Sequence, residues 1–242
     1  MKTAAALVIG NELLSGKIAD ANLVVLARTL REAGVELRRA VFVLDDVDVI
    51  AEEVRALAGA HDVLFTSGGV GPTHDDVTIE GVARAFGAPV VTSPILADLL
   101  RGHYGDRLLE GHLFMARVPE GARLVSGETV VWPVVVMQNV WILPGVPEIF
   151  LAKQPLIRAE LAGESPFISF AVLTTLDEGQ LKPMLDRVVE DHRDVAIGSY
   201  PRWSGAEYRT RLTFDGLLED RVRAARDAFA SSLPAGTLVG VE

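Results

Sequence analysis

Residues 61–76 read HDVLFTSGGVGPTHDD, an apolar run followed by a glycine-rich loop. The run at 61–66 predicts a buried strand, and the pattern at 78–86, closed by Gly87, predicts a helix. The glycines let the backbone turn tightly and approach a ligand, because no β-carbon stands in the way. Strand, loop and helix in this order are typical of a parallel α/β sheet, which binds ligands beyond the carboxyl ends of its strands.

Strand and helix patterns alternate on both sides of this loop. Apolar runs predict strands at residues 4–9 and 35–44, and a hairpin with arms at 134–137 and 140–143. Helical patterns begin at Asp20 or Ala21, at Asp48 as the capping residue, at Ser93-Pro94 and at about Glu148. We therefore predict a three-layer α/β domain over residues 1–162, with a mostly parallel sheet covered on both faces.

A second, smaller domain is predicted over residues 167–242, after a break at 162–166. The order there is strand (168–174), helix (179–191), two strands (196–200 and 208–214), helix (218–233) and strand (238–241). A β-α-β-β-α-β order is the signature of a ferredoxin-like α+β unit.

The composition limits the kinds of partner. The chain has 242 residues, no cysteine and a formal net charge of −10. An acidic chain repels nucleic acid and anionic membranes, so we expect neither as a partner. The lack of cysteine excludes disulfides, thiolate zinc sites and cysteine nucleophiles, and it fits a reducing compartment. With no apolar run long enough to span a membrane, we expect a cytoplasmic protein.

The glycine-rich loop has the features of an anion site. It leads into a helix N-terminus, whose free N–H groups and dipole favour phosphate, and Thr73 can add a hydroxyl hydrogen bond. Asp75 and Asp76 would repel a bare phosphate, but Mg²⁺ resolves this conflict because it takes carboxylate and phosphate oxygens together. In the alternative interpretation the loop is a plain turn, and Asp76 caps the helix at Thr78. The spacing matches neither the dinucleotide-binding fingerprint nor a P-loop.

Two other loops carry acidic residues at strand ends. Gly10-Asn11-Glu12 follows the first strand, and Glu12 could hold a metal or a ribose hydroxyl, or equally cap a helix. Asp45-Asp46 ends the second strand, where a polar turn is the alternative to a functional role. These loops, the glycine-rich loop and the segment after Leu143 all leave strand ends, so they are expected to meet in one crevice.

Several stretches together resemble the molybdenum-cofactor-biosynthesis, or molybdopterin-binding, domain family. The similarity is greatest to the branch of competence/damage-inducible protein A (CinA) and the amino-terminal domain of eukaryotic FAD synthetase. The matching stretches span residues 5 to about 150: GNELLSG (10–16), DAN (20–22), TSGGVGPTHDDVT (66–78), VPEGA (118–122) and LPGVPE (143–148). The small domain, including GSYP at 198–201, also resembles that branch.

The resemblance implies a three-layer α/β fold, assembly as a homo-oligomer, and metal-dependent cleavage of a pyrophosphate bond in ADP-ribose or FAD. It implies catalytic roles for Asp45 and Asp76, and we place a divalent metal, Mg²⁺ or similar, at Asp75 and Asp76. Nucleotide or pterin ligands are expected to bind at Gly10, Asn11, Glu12, Ser67, Gly68, Gly69, Gly71, Thr73, Pro144 and Gly145.

Other functions stay open beside hydrolysis. The same pocket would serve a molybdopterin-binding or adenylylating protein of cofactor biosynthesis, or a binding module without chemistry. Residues 126–133 read SGETVVWP, where damage-inducible proteins commonly have an Asn-x-x-Gly-Thr-Ala-Pro-Gly segment. This region is nearer the FAD-synthetase form, which counts against specificity for ADP-ribose. The deamidase and FAD-synthesising domains of these relatives have no counterpart in the sequence, so neither reaction is expected.

Overall fold

The computed structural model describes residues 1–127, 130–161, 165–203 and 207–242. The chain divides into two compact units, residues 1–164 and 165–242. The break predicted at 162–166 and the segment compared at 126–133 lie partly outside the described residues. No helix among the described residues is both long enough and apolar enough to cross a membrane.

The first unit alternates strands and helices. Its strands are β1 (Thr3–Ile9), β2 (Glu36–Val43), β3 (Val63–Ser67), β4 (Val90–Thr92), β5 (Arg117–Pro119), β6 (Arg123–Gly127), β7 (Val130–Met137) and β8 (Val140–Leu143). Its helices are α1 (Asn11–Leu14), α2 (Asn22–Glu32), α3 (Val47–Ala60), α4 (Thr78–Ala85), α5 (Pro94–Tyr104), α6 (Glu110–Leu113) and α7 (Pro147–Leu161), with 3-10 turns at Gly105–Arg107 and Phe114–Ala116.

The main sheet has the strand order β2-β1-β3-β8-β7-β6. The pairs β2-β1, β1-β3 and β3-β8 are parallel, while β7 pairs antiparallel with both β8 and β6. The remaining strands, β4 and β5, form a small sheet of their own. The predicted mostly parallel sheet is confirmed, and the antiparallel strands β7 and β6 complete it at one edge.

From Ala4 to Ile9, strand β1 is apolar and buried because helices cover both faces of the sheet there. Ala4 and Ala6 pack in one core with side chains of α2 and α7, such as Leu30 and Phe150. The alternate residues pack in a second core on the other face, against side chains of α3 and α4. The three-layer architecture is therefore confirmed.

Three details of the first unit differ from the sequence predictions. The cap of α3 is Asp46, not Asp48, because the Asp46 carboxylate accepts hydrogen bonds from the N–H groups of Asp48 and Val49 at 2.9 and 3.0 Å. The short helix α1 was not predicted. Nor were β4, β5 and β6, since strands of three to five residues carry too little hydrophobic pattern to be recognised.

The second unit has the predicted β-α-β-β-α-β order. Its elements are β9 (Ile168–Thr174), α8 (Glu178–Asp191), β10 (Ala196–Pro201), β11 (Thr210–Gly216), α9 (Glu219–Ser232) and β12 (Leu238–Val241). The antiparallel sheet has the order β10-β11-β9-β12, and a separate core joins Val172, Leu212 and Phe214 of the sheet to Leu181 and Phe229 of the helices. This is the expected ferredoxin-like arrangement.

Candidate functional site

The carboxyl ends of four neighbouring parallel strands form one edge of the main sheet. Because β2, β1, β3 and β8 run in the same direction, the loops that follow them leave the sheet on the same side. Most of the predicted site residues lie in these loops: Gly10, Asn11 and Glu12 after β1, Asp45 after β2, Gly68 to Asp76 after β3, and Pro144 and Gly145 after β8.

Three of these loops touch at Gly68. Its N–H donates to the carbonyl of Leu143 at 3.2 Å, and its φ of +106° is one that side chains rarely adopt. A β-carbon on Gly68 would lie 2.2 Å from the carbonyl oxygen of Ile9. A β-carbon on Gly145 would lie 3.1 Å from the α-carbon of Gly68. Glycine is therefore required here by close backbone approach and not only by flexibility.

The side chains of two residues hold the start of the loop by hydrogen bonds. Asn22, buried on α2, donates from Nδ2 to the hydroxyl of Ser67 at 3.0 Å and to the carbonyl of Gly145 at 2.8 Å. Thr78, the first residue of α4, donates its hydroxyl to the carbonyl of Gly68 at 2.8 Å. Its N–H donates to the carbonyl of Gly69 at 2.9 Å. These hydrogen bonds hold the first residues of the loop against α2, α4 and the segment after β8.

The middle of the loop offers unused donors. Within the described part of the chain, the N–H groups of Gly69, Val70 and Gly71 donate to no protein acceptor. Successive free N–H groups in a turn form a concave site that favours anions. This is the feature that a phosphate-binding loop needs.

Asp76 does not cap the helix that follows it. The N-cap of α4 is Val77, which makes no side-chain capping bond. The Asp76 carboxylate instead accepts from Thr73, from the backbone N–H at 2.8 Å and from the hydroxyl. The capping interpretation of Asp76 is therefore wrong, and Thr73 orients the carboxylate by hydrogen bonds.

Asp45 connects the loops after β1 and β2. Its Oδ2 accepts from the N–H of Asn11 at 2.8 Å, and its own N–H donates to Oδ1 of Asn11 at 3.3 Å. Burial raises the pKa of Asp45, the Asn11 hydrogen bond opposes that effect, and the negative charges of Glu12, Asp75 and Asp76 raise it further. We call Glu12, Asp45, Asp75 and Asp76 the acidic cluster.

Glu12 has no capping role, because Gly10 occupies the N-cap of α1. Its carboxylate lies over Gly10, where a β-carbon would come within 2.6 Å of Oε1. The carboxylate is exposed and belongs to the acidic cluster.

The acidic cluster fits a hard cation only in part. Among the described residues, no three His, Asp or Glu side chains are grouped so that they could hold a metal ion. Neither Asp45 nor Asp76 has an ion-pair partner in the same residues. Mg²⁺ is commonly bound by one or two carboxylates together with waters and substrate phosphates. The cluster therefore suits a cation that arrives with a phosphorylated ligand.

A cavity of about 480 Å³ opens beside the loop. Of the predicted site residues, only Gly71, Asp76 and Pro144 line it, while the others lie along the neighbouring sheet edge. The rest of the wall is mostly apolar and comes mainly from α4, α5, β7, α7 and the segment from Phe114 to Arg117. Sequence reasoning missed this cavity entirely.

The cavity also contains charged side chains that were not predicted. Glu80 and Arg117 form an ion pair in its wall. Lys153 of α7 is 4% exposed, and its ammonium donates to the carbonyl of Trp132. Burial lowers the pKa of Lys153 to about 8. The sequence did contain a pattern that indicates the burial of Lys153. This residue lies three positions after Phe150 and four before Ile157, on the apolar face of the predicted helix.

The family model described as "Probable molybdopterin binding domain" matches residues 5–156 of the chain. The chain belongs to the molybdopterin-binding domain family. A second family model, "FAD synthase, middle domain", matches residues 166–242, which form the ferredoxin-like unit after this molybdopterin-binding domain. The resemblance stated from the motifs is confirmed for both parts of the chain.

Relatives of this molybdopterin-binding domain protein include one from Archaeoglobus fulgidus, named only "Protein". It is 35% identical, and the match covers 93% of this chain and 95% of the relative. A "Probable FAD synthase" from Caenorhabditis elegans is 32% identical, with 88% of this chain and 46% of the relative matched. The chain thus spans about half the length of that FAD synthase. The crystal structure of CinA from Thermoplasma acidophilum superposes with a TM-score of 0.60 and 30% identity, over 66% of this chain and 98% of that chain.

Proposed function

We propose that this protein is a divalent-metal-dependent pyrophosphatase acting on an adenine dinucleotide or nucleotide sugar of the FAD or ADP-ribose class. The observation that carries the proposal is the position of the free N–H groups of Gly69, Val70 and Gly71 in the loop that ends in Asp75 and Asp76. The same loop therefore offers N–H donors for a polyanion and carboxylates for a cation, which are the two kinds of group that a metal-bound diphosphate needs. The relative named "Probable FAD synthase" supports a nucleotide substrate.

The free N–H groups would donate to non-bridging oxygens of the diphosphate and stabilise the charge that develops there. Asp76, oriented by Thr73, and Asp75 would hold the cation. A bound Mg²⁺ supplies Lewis-acid polarisation of the phosphoryl oxygens. The contribution of the chain itself is to place donors and carboxylates before the substrate arrives.

Asp45 is the candidate general base. Asn11 holds one carboxylate oxygen, so the other is left to orient water. Water would attack one phosphorus while the bond from that phosphorus to the bridging oxygen breaks, giving AMP and a second phosphomonoester. The proton lost by water would pass to the Asp45 carboxylate.

The test is product analysis. The protein is incubated with FAD, ADP-ribose, NAD or ATP, with Mg²⁺ or after exhaustive chelation, and AMP is quantified. We expect AMP from FAD or ADP-ribose only when the cation is present. Activity that survives chelation would contradict the metal requirement. An adenylylated pterin as product would favour the cofactor-biosynthesis alternative, and ligand binding without turnover of any substrate would favour a binding module.

Location and assembly belong to the same proposal. We propose a cytoplasmic homo-oligomer, which the lack of cysteine and the family resemblance support. An apolar groove between α5 and β7 presents Ile95 and Val131, exposed by 62% and 78%. Light scattering coupled to gel filtration measures the assembly, and a monomer at micromolar concentration would contradict it.

A further inference from the structure

The cavity beside the loop continues away from the acidic cluster. Gly71 and Asp76 stand at one part of its wall, and Lys153 stands in the part formed by α7. Its volume of about 480 Å³ lies in the range of small-molecule sites, roughly 300–1,000 Å³. Aromatic and aliphatic groups line it, among them Leu100, Tyr104 and Ile149. A flat, mostly apolar group of two or three fused rings would fit such a space.

Besides Asp76 at the loop, the charged groups of this cavity include one cation without a carboxylate partner. Arg117 is neutralised by Glu80. Lys153 has no carboxylate partner among the described residues, and the acceptor found for it there is the carbonyl of Trp132. An ammonium group carries three donors, so donors of Lys153 remain available to a ligand. Because its pKa is about 8, Lys153 is still mostly charged at pH 7.

We propose that this cavity binds the heteroaromatic ring of the substrate, and that Lys153 is the residue that selects a ring carrying carbonyl oxygens, such as isoalloxazine or pterin. The apolar walls contact the faces of the ring, and the Lys153 ammonium donates to a ring carbonyl. The inference rests on the proposed function for the position of the diphosphate at the glycine-rich loop.

The chemistry of Lys153 distinguishes oxo-substituted rings from adenine. Lys153 offers donors only, and a ring carbonyl offers an acceptor with two lone pairs. Adenine has no carbonyl oxygen; its acceptors are the ring nitrogens N1, N3 and N7, each with a single in-plane lone pair, and N1 and N7 lie beside an amino group that is itself a donor. An ammonium in this cavity can therefore approach a ring carbonyl, with its two lone pairs, from more directions than it can approach an adenine nitrogen. In a dinucleotide with two different rings, the oxo-substituted ring is therefore the one assigned to this cavity.

The experiment uses ring probes without phosphate and without metal, so that it does not depend on the loop or on turnover. Binding of riboflavin and of adenosine to the full chain is measured by equilibrium dialysis, with tryptophan fluorescence as a second signal because Trp132 lines the cavity. The variant is Lys153→Met, which keeps most of the length of the unbranched side chain and removes its donors. The matched control is Lys182→Met, at an exposed lysine of α8 that pairs with Asp186.

We expect the wild type and Lys182→Met to bind riboflavin more tightly than adenosine. We expect Lys153→Met to lose about tenfold or more in riboflavin affinity, the effect of one charge-assisted hydrogen bond. Adenosine affinity should change by less than about threefold. Equal affinities for the two probes in the wild type, or unchanged riboflavin affinity in Lys153→Met, would overturn the inference.

The two proposals can fail separately. Riboflavin binding that depends on Lys153, without AMP release from any dinucleotide, would support the ring site and contradict hydrolysis. Metal-dependent AMP release with no riboflavin binding would support hydrolysis and contradict the ring site.

Discussion

At the scale of single residues, the proposed metal-binding role of Asp76 can be separated from its structural role. Its hydrogen bonds go back to Thr73 within the loop, and α4 begins without its help. Removing the charge of Asp76 should therefore disturb the cation site without unravelling the helix. An asparagine can still accept one hydrogen bond from Thr73.

We predict that Asp76→Asn lowers Mg²⁺-dependent AMP release by about a hundredfold or more, since a metal ligand and its charge are lost. The free energy of unfolding should fall by no more than about 1–2 kcal/mol. Asp75→Asn, measured in parallel, should have the smaller effect, because Asp75 is half exposed beside His74. The surface control is Asp227→Asn on α9, where activity should be unchanged. Full activity in Asp76→Asn would rule out its assigned role.

Lys153 allows a prediction about pH. Its pKa of about 8 in the folded protein is below its ordinary 10.5, so between these values the unfolded chain binds more protons than the folded one. Stability arising from this group therefore rises with pH across that window. The cost of burying the charged lysine is fully present below pH 8 and disappears as the pH approaches 10.5.

Lys153→Met should accordingly be more stable than the wild type at pH 7, by about 1–2 kcal/mol after the lost hydrogen bond to Trp132 is subtracted. The advantage should shrink between pH 8 and 10.5. Urea denaturation at several pH values measures it, with Lys182→Met as the exposed control. A variant that is less stable than the wild type at every pH would mean that the lysine is a net stabilising residue.

At the scale of elements, the site depends on how closely the loops after β1, β3 and β8 approach one another. Gly68 is the contact point, and the backbone of Gly145 packs against its α-carbon. Gly87, at the end of α4, also has a positive φ, but a β-carbon there would meet nothing within 4 Å. Substitutions at Gly68 and Gly87 therefore separate the cost of an unfavourable φ from the cost of steric overlap.

We predict that Gly68→Ala destabilises the protein by at least about 3 kcal/mol, because an unfavourable φ and a collision with the Ile9 carbonyl add together. Gly87→Ala should cost about 1–2 kcal/mol from its φ alone. Guanidinium denaturation of both variants provides the comparison. Similar losses in the two variants would show that the loops can move apart to admit a β-carbon.

At the scale of the whole molecule, the two units have separate cores. All residues of the acidic cluster, the glycine-rich loop and the cavity belong to residues 1–164. The core of residues 165–242 is built from its own strands and helices. The proposed substrate chemistry is therefore assigned to the first unit alone.

A fragment of residues 1–164 should therefore fold and retain metal-dependent AMP release within about threefold of the full chain, because each core buries its own apolar side chains. Circular dichroism and the AMP assay check the two parts of this prediction. A folded fragment with no activity would mean that residues 165–242 contribute to the site.

The amino-acid sequence by itself determined the layers, the alternation of strands and helices along the chain, and the glycine-rich loop. These features are local. The apolar run of β1 indicates a buried strand, the helical spacing of apolar residues indicates the helices, and the glycines of residues 67–76 indicate a tight turn. The motifs were specific enough to identify the family from about 150 residues. The roles assigned to Asp45, Asp75 and Asp76 stay predictions, although Asp75 and Asp76 lie close enough to Asp45 for their charges to raise its pKa.

Only the tertiary structure decided which partner each polar group takes. Asp46 rather than Asp48 caps α3, and Asp76 turns to Thr73 rather than to α4. The cavity beside the loop depends on contacts between residues distant in the chain, such as Lys153 with the carbonyl of Trp132. A sequence pattern gives the face of a helix on which a side chain lies. It does not give what that face packs against, because burial and hydrogen bonding are set by elements that meet only after folding.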